Sequence, residues 1–198
     1  MKIKLCGVRR VADALICANE GADEIGVVFA SRSRRCVTPE EAKAIRDALP
    51  ARVPLVGVFL DTELAEVLRV AEQVGLQAAQ LHGAWPGASS ERTLPLYAAL
   101  QVLSEDSFQP RPGASRILLD GPDAGSGRSF AWGLAAKLRA NHAGEVFIAG
   151  GLTPENVAQA IAEANPSGVD VASGIEGPDG YKDPARVRAF VRAARGTP

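Results

Sequence analysis

Eight short apolar runs alternate with helical segments along almost all of the 198 residues, and this alternation most limits what the chain can fold into. The uninterrupted apolar run at 53–59 (VPLVGVF) is typical of a parallel strand that is covered on both faces. Runs of this length and composition predict β-strands. We predict strands at 3–6, 24–29, 53–59, 76–82, 100–103, 116–120, 146–149 and 168–172.

The segments between these runs carry apolar residues at helical spacing, and three of them begin with a capping pattern. Thr38 is followed by Pro39 and then by Glu41, which indicates a capping box, and Thr153 opens a similar Thr-Pro start. Asp183 before a proline predicts the N-cap of the last helix. We predict helices at 11–20, 38–49, 62–74, 91–98, 130–140, 153–164 and 183–194.

This order of elements predicts an α/β fold of the (β/α)8 TIM barrel class, in a single domain over residues 1–198. The barrel must be compact, because about 250 residues is typical of this fold. We expect an irregular fifth crossover, since 104–115 contains two prolines and no helical periodicity. A doubly wound open sheet is the alternative, but no GxGxxG follows the first strand and the candidate chemistry is spread over several strands.

Charge and hydropathy exclude several classes of partner. A net charge of −1 gives no reason to expect nucleic-acid binding. No apolar stretch is long enough to cross a bilayer, and no signal-peptide pattern precedes the first strand. We therefore expect a soluble cytoplasmic protein with no nucleic-acid or membrane partner. The lack of an obvious exposed apolar stripe favours a monomer over a homodimer, although barrel dimers need no sequence motif.

The cysteines indicate neither a disulfide framework nor a metal site. Their number is odd, namely Cys6, Cys17 and Cys36, and no two of them form a CxxC pair. With only two histidines in the chain, no Cys/His cluster at metal-ligand spacing is present. Cys17 lies in a helical pattern, which is typical of a small buried apolar residue.

Three side chains that could take part in catalysis or ligand binding lie at or after the ends of apolar runs. Cys6 ends the first run, Arg35 follows the second, and Asp120 ends the sixth. The C-terminal ends of barrel strands meet at one face, where barrel enzymes keep their catalytic groups. A carboxyl at such an edge can have a raised pKa and act as a general acid, and an arginine there suits a carboxylate. Each residue also has a purely structural alternative. Cys6 could be a buried thiol, Asp120 could cap the loop that follows it, and Arg35 could be an ordinary surface arginine.

Two small-residue turns follow the seventh and eighth runs, at the positions where such barrels often bind phosphate. Gly150 and Gly151 form the first turn, and Ser173 and Gly174 form the second. Glycines let backbone N–H groups approach an anion, and a helix start beside them favours negative charge. The alternative is that these glycines only allow tight turns, but the presence of both turns favours a phosphate site.

Nine segments, taken in order, resemble those of the phosphoribosylanthranilate isomerase family of tryptophan biosynthesis, and the resemblance runs from end to end. These segments are 4–7 (KLCG), 26–29 (GVVF), 33–37 (SRRCV), 80–83 (QLHG), 118–120 (LLD), 125–132 (GSGRSFAW), 150–157 (GGLTPENV), 169–176 (VDVASGIE) and 180–183 (GYKD). Each segment alone is weak evidence, whereas all nine in order at barrel spacing are specific.

The resemblance implies an isomerase that carries out an Amadori rearrangement without a metal or another cofactor. The aminoaldose N-(5'-phosphoribosyl)anthranilate would become the aminoketose 1-(2-carboxyphenylamino)-1-deoxyribulose 5-phosphate. Asp120 would be the general acid that opens the ribose ring, and Cys6 would be the general base at C2'. Because a free thiol has a pKa of about 8.5, we expect nearby positive charge to lower the pKa of Cys6.

The resemblance also implies how this sugar-phosphate substrate would be bound. Arg35 would hold the anthranilate carboxylate, and Asp170 would bind sugar hydroxyls or orient its neighbours. His82 is expected to make a structural hydrogen bond. The phosphate would be held by the two turns, that is by Gly150, Gly151, Ser173 and Gly174.

One departure from the family pattern and two other functions stay open at this point. Arg9 stands where the family commonly has threonine, which leaves the first loop undetermined. A histidine-pathway aminoaldose isomerase, or an enzyme that accepts both substrates, is the first alternative, but those barrels typically use aspartates at strands 1 and 5. An inert barrel that binds a sugar phosphate is the second.

Overall fold

The structure is a computed structural model, and it describes residues 1–88, 93–101, 111–121, 132–141 and 144–196. Eight parallel strands form a closed barrel in chain order, with β8 paired back to β1. The predicted barrel class is therefore confirmed. The strands are β1 (Lys2–Leu5), β2 (Glu24–Val28), β3 (Leu55–Leu60), β4 (Ala78–His82), β5 (Leu96–Gln101), β6 (Arg116–Asp120), β7 (Glu145–Ala149) and β8 (Gly168–Val171).

Helices of the described residues connect most of these strands. They are α1 (Val11–Asn19), α2 (Pro39–Ala48), α3 (Leu64–Val74), α4 (Trp132–Asn141), α5 (Val157–Ala164) and α6 (Pro184–Arg195), with a 3₁₀ turn at Ser173–Ile175. None of the helices in this part of the chain is long and apolar enough to span a membrane. The prediction of a single domain over 1–198 stays a prediction.

Sequence-local signals fix several of these boundaries. The Thr38 hydroxyl accepts a hydrogen bond from the Glu41 amide, and the Glu41 carboxylate accepts one from the Thr38 amide, so the predicted capping box is present. Asp183 caps α6 through hydrogen bonds from two backbone amides. Gly75 ends α3 in a left-handed conformation, with φ of 76°.

Two predicted boundaries are wrong. A helix was expected at 91–98, but its last three residues belong to β5, which occupies Leu96–Gln101. This strand begins four residues before the strand expected at 100–103. Leucine and alanine favour helix locally, but this segment lies between β4 and β6, and tertiary context decides its conformation. The crossover expected at 104–115 lies largely outside the described residues.

The second wrong boundary is the start of α5, which begins at Val157 and not at Thr153. A turn precedes it, in which the Asn156 side-chain oxygen accepts a hydrogen bond from the Thr153 amide at 2.8 Å. The Thr-Pro pattern therefore marks the turn that enters the helix. For the other strands, observed and predicted ends agree to within two residues.

Two clusters make up most of the core, and a third, small one contains Cys6. A large cluster fills the space between the outer faces of the strands and the helices, as the burial of Ile25 on β2 and Phe190 on α6 illustrates. A smaller cluster inside the barrel includes Val56, Leu118 and Phe147. Burial on both faces explains why the strands are almost continuously apolar.

A buried arginine occupies the interior at the N-terminal ends of the strands. Arg116 donates hydrogen bonds to Glu24 at 2.6 and 2.7 Å and to Glu145 at 2.8 and 3.0 Å. Its guanidinium lies 4.1 Å from the ring centroid of Tyr97 and 3.8 Å from that of Phe147. This cluster belongs to the end of the barrel that serves stability, so the opposite end is left for chemistry.

Candidate active site

A cavity of about 810 Å³ opens at the C-terminal ends of the strands. All eight side chains or turns that the sequence predicted as site residues line it, as barrel geometry requires of residues at these strand ends. They are Cys6, Arg35, Asp120, Gly150, Gly151, Asp170, Ser173 and Gly174.

Cys6 directly follows β1 and lines the cavity, and Lys4 of the same strand is buried beside it. Lys4 and Cys6 are two residues apart, so both side chains point to the same side of the sheet. The Lys4 ammonium is fully buried and lies 2.9 Å from the Asp170 carboxylate, its register partner on β8. The Cys6 amide donates to the Val171 carbonyl at 2.8 Å, which fixes the thiol beside this ion pair.

The pKa of the Cys6 thiol is raised, and the expectation of a lowered value is wrong. Burial is the main cause, because it disfavours the charged thiolate. Lys4 and Lys182 favour the thiolate, whereas Asp170 opposes it. The expected positive charge is present, but its effect on the pKa of Cys6 does not outweigh that of burial.

Asp120 ends β6 at the cavity wall, and its pKa is raised to about 6. Burial is the largest cause, and repulsion by Asp170 comes second, whereas the Gly121 amide and Lys4 act in the opposite direction. Among the described residues, its buried Oδ1 has no hydrogen-bond partner. The raised pKa expected of a carboxyl at this edge is confirmed.

Arg35 reaches the cavity from the loop after β2, and a carboxylate holds it there. Its Nε lies 2.5 Å from Glu176 Oε1 and its Nη2 lies 2.9 Å from Glu176 Oε2. Arg34 and Lys182 also pair with Glu176, at 2.8 and 3.3 Å. Within the described residues no hydrogen bond is recorded at Nη1 of Arg35, so this edge is open to an anion.

Glu176 is the centre of this cluster, and it was not among the predicted site residues. Its side chain is only 4% exposed. Burial acts to raise the pKa of Glu176, but Arg35 and Lys182 outweigh burial and hold that pKa below its ordinary value. Both Glu176 and Lys182 lie in segments that carry the family resemblance, which is the signal that could have identified them.

The two small-residue turns adjoin each other at the cavity mouth. Gly150 and Gly151 have φ of 83° and 65°, which side chains rarely adopt, and a Cβ at Gly150 would overlap the Asp120 carboxylate. A Cβ at Gly174 would overlap the Leu152 carbonyl, so the turns are in contact. In the part of the chain described, no hydrogen bond is recorded from the Gly151 amide, which leaves that donor available to a ligand.

Strand β4 adds two polar side chains to the cavity wall. Gln80 Nε2 lies 3.0 Å from His82 Nε2, which agrees with the hydrogen-bonding role expected of His82. Burial and, after it, Lys4 lower the pKa of His82.

Arg9, which departs from the family pattern, connects the first loop to two neighbouring loops. It donates to the Gly180 carbonyl at 2.8 Å and to the Arg34 carbonyl at 3.4 Å, and it lies 4.2 Å from the ring centroid of Tyr181. The first loop is thereby tied to the loops after β2 and β8. Among the described residues no three His, Cys, Asp or Glu side chains form a group that could hold a metal ion.

Comparison with known proteins gives one consistent result. A family model described as N-(5'phosphoribosyl)anthranilate (PRA) isomerase matches residues 3–193. A Rubrobacter xylanophilus protein named N-(5'-phosphoribosyl)anthranilate isomerase is 43% identical over 205 residues, which cover 98% of each chain.

Two crystal structures are similar over 99% of both chains. Phosphoribosyl anthranilate isomerase from Thermus thermophilus has a TM-score of 0.88 and 38% identity. A structure of phosphoribosyl anthranilate isomerase in complex with reduced 1-(o-carboxyphenylamino)-1-deoxyribulose 5-phosphate has a TM-score of 0.83 and 33% identity.

Proposed function

This chain belongs to the N-(5'-phosphoribosyl)anthranilate isomerase family, and we propose that it converts N-(5'-phosphoribosyl)anthranilate to 1-(2-carboxyphenylamino)-1-deoxyribulose 5-phosphate in tryptophan biosynthesis. The observation that carries the proposal is the pair of proton-transfer groups on one cavity, with the Cys6 thiol and the Asp120 carboxyl both at its wall. The reaction needs one acid and one base, and it needs no electron acceptor, because the aldose and ketose levels are exchanged within one molecule.

Asp120 is proposed as the general acid of the first step. It donates its proton to the ribose ring oxygen while the C1'–O bond breaks and the nitrogen lone pair forms the C1'=N bond of a cationic Schiff base. Its pKa of about 6 supports this role, since a catalytic acid works best when its pKa lies near the working pH. At pH 7 about one carboxyl in ten holds its proton, against fewer than one in a thousand at the ordinary pKa of 3.8.

Cys6 is proposed as the general base of the second step. Its thiolate takes the proton from C2', and the electrons of that C–H bond form the C1'=C2' bond while the iminium nitrogen becomes neutral. The enolamine then loses its hydroxyl proton and gains a proton at C1', which gives the ketone. A cationic imine acidifies C2'–H enough for a thiolate to remove it.

The remaining residues are proposed to hold the two ends of the substrate. Arg35 binds the anthranilate carboxylate through its open Nη1 edge, because guanidinium and carboxylate match in shape and charge. Gly150, Gly151, Ser173 and Gly174 bind the phosphate through backbone amides and the serine hydroxyl. Asp170 is proposed to accept hydrogen bonds from sugar hydroxyls and to hold Lys4.

The test is the loss of anthranilate-type fluorescence when the chain meets freshly generated phosphoribosylanthranilate. We expect rapid decay with the native chain. Cys6→Ser and Asp120→Asn should each lose several orders of magnitude in kcat with little change in substrate affinity, and Arg35→Ala should mainly raise KM. Cys36→Ser is the matched control, because Cys36 is exposed and does not line the cavity. Normal turnover in either of the first two variants would remove the mechanism.

The same assay separates this proposal from the other two functions. An inert sugar-phosphate-binding barrel would show no decay. A histidine-pathway isomerase would need an acid from the fifth strand, and β5 contains no aspartate or glutamate.

We further propose that the chain acts as a monomer in the cytoplasm. Sedimentation at micromolar concentration and cell fractionation test these two points.

A further inference from the structure

Lys4 is the buried charge that the proposed reaction leaves without a role. Its side chain is 0% exposed, and burying an ammonium is costly unless a nearby anion compensates the charge. Asp170 supplies one such contact, at 2.9 Å. An ammonium has three N–H donors, so one carboxylate oxygen does not account for its placement inside the barrel.

The second neighbour of Lys4 is the thiol of Cys6. Gly26 on β2 provides the room for both, because a Cβ there would lie 2.6 Å from Cys6 Sγ and 3.1 Å from Lys4 Nζ. Because both atoms lie so close to the same position, Cys6 Sγ and Lys4 Nζ are less than roughly 6 Å apart. Over this distance a positive charge favours ionisation of a thiol.

We propose that Lys4 is a positioning residue of this reaction, whose ammonium is the counter-ion of the Cys6 thiolate and is held in place by Asp170. The proposal rests on the proposed function, since it is needed only if Cys6 acts as a base. Lys4 touches no reacting atom and acts through the thiol. Before C2' is deprotonated, the cavity must hold a thiolate, and the ammonium makes this anion less costly there.

The other charged groups that face Cys6 are less suited to this role. They are Asp170 on β8, Lys182 on the loop after β8, and Arg35 on the loop after β2. Lys182 and Arg35 are both bound to Glu176, which compensates their charge. Asp170 opposes the thiolate, but among the cations Lys4 has the largest effect on the pKa of Cys6 and outweighs Asp170.

Alkylation by iodoacetamide as a function of pH tests the proposal without substrate, because only the thiolate reacts. A Cys36→Ser background removes the exposed thiol, Cys17 is fully buried, and Cys6→Ser in the same background gives the residual rate. We expect Lys4→Met to raise the midpoint of the profile by one pH unit or more, so that alkylation below the midpoint slows about tenfold. Lys43→Met, at an exposed lysine of α2, should leave the midpoint unchanged.

Removal of the negative charge of Asp170 should shift the alkylation midpoint in the opposite direction. Asp170→Asn removes the carboxylate that opposes the thiolate, so the midpoint should fall. If circular dichroism shows that Lys4→Met does not fold, Lys4→Gln, which also removes the charge, takes its place. An unchanged midpoint in a folded chain that lacks the Lys4 charge would overturn the proposal. Shifts of the expected sign in a chain that does not turn over phosphoribosylanthranilate would support the Lys4–Cys6 coupling and refute the proposed function.

Discussion

The dependence of kcat/KM on pH tests both proposed proton-transfer groups at once. The acid must hold a proton when the base has lost one. Asp120 has a pKa of about 6, whereas burial raises the pKa of Cys6 above the ordinary value of a thiol. The group that must be protonated is therefore the stronger acid of the two, and the productive form is a minority at every pH.

Among enzyme molecules with one proton on the pair, only a small minority hold it on Asp120, because the raised pKa of Cys6 keeps the proton on the thiol. This fraction does not change with pH as long as the pair holds one proton. We therefore expect kcat/KM to rise through pH of about 6, to stay flat, and to fall only at alkaline pH, where the Cys6 thiol loses its proton.

The measurement is the initial rate of fluorescence loss at substrate concentrations below KM, from about pH 5 to about pH 10. The substrate phosphate also titrates near pH 6, so the assignment of the lower limb needs a variant. In Asp120→Asn the part of that limb due to the carboxyl should disappear, and a residual limb belongs to the phosphate. A kcat/KM that falls between about pH 6 and pH 8 would refute the reasoning, because the thiol would then be the stronger acid.

Three substitutions test other parts of the structure. Arg116→Met should lower the free energy of unfolding by about 3–5 kcal/mol in urea titration, because Glu24 keeps a buried charge without its partner. Gly26→Ala should lower kcat/KM at least about tenfold in a folded chain, since the new Cβ displaces the Cys6 thiol. Glu176→Gln should raise KM about tenfold with a smaller change in kcat, because the guanidinium it orients loses a charged hydrogen bond.

Each of these variants has a matched control. Arg188→Met changes an exposed arginine and should leave the free energy of unfolding nearly unchanged. Gly133→Ala adds a Cβ in open space on α4 and should leave turnover intact. Glu72→Gln, at an exposed position of α3, should leave KM unchanged. An Arg116→Met variant as stable as the native chain, or an active Gly26→Ala variant, would contradict the packing described.

The positions of the catalytic candidates could be predicted from the sequence because they depend on strand ends. An apolar run followed by a polar residue shows where a strand leaves the core, and parallel strands bring these points to one face. Arg116–Asp120 was predicted at both ends, and with it the place of Asp120. The raised pKa of Asp120 follows from the same location, since a strand end at the mouth is largely desolvated.

The features that could not be predicted depend on contacts between distant segments. Arg35 and Glu176 are 141 residues apart, and only the closed barrel brings them together. The pKa of Cys6 depends on the balance between burial and the charges of Lys4, Asp170 and Lys182, and a sequence gives the charges but not the depth. The strand at Leu96–Gln101 is likewise set by its neighbours β4 and β6, against its local helix preference.

The Lys4–Asp170 ion pair connects the acid with the base. Lys4 acts to lower the pKa of both Cys6 and Asp120, and Asp170 acts to raise both. A substitution at either member of the pair should therefore move both limbs of the pH profile in the same direction, upward for Lys4→Met and downward for Asp170→Asn. In Lys4→Met the flat region should also widen, because Lys4 acts more strongly on Cys6 than on Asp120 and the width is the difference between the two pKa values. A variant that moved only one limb would show that the pair serves one of the two groups alone.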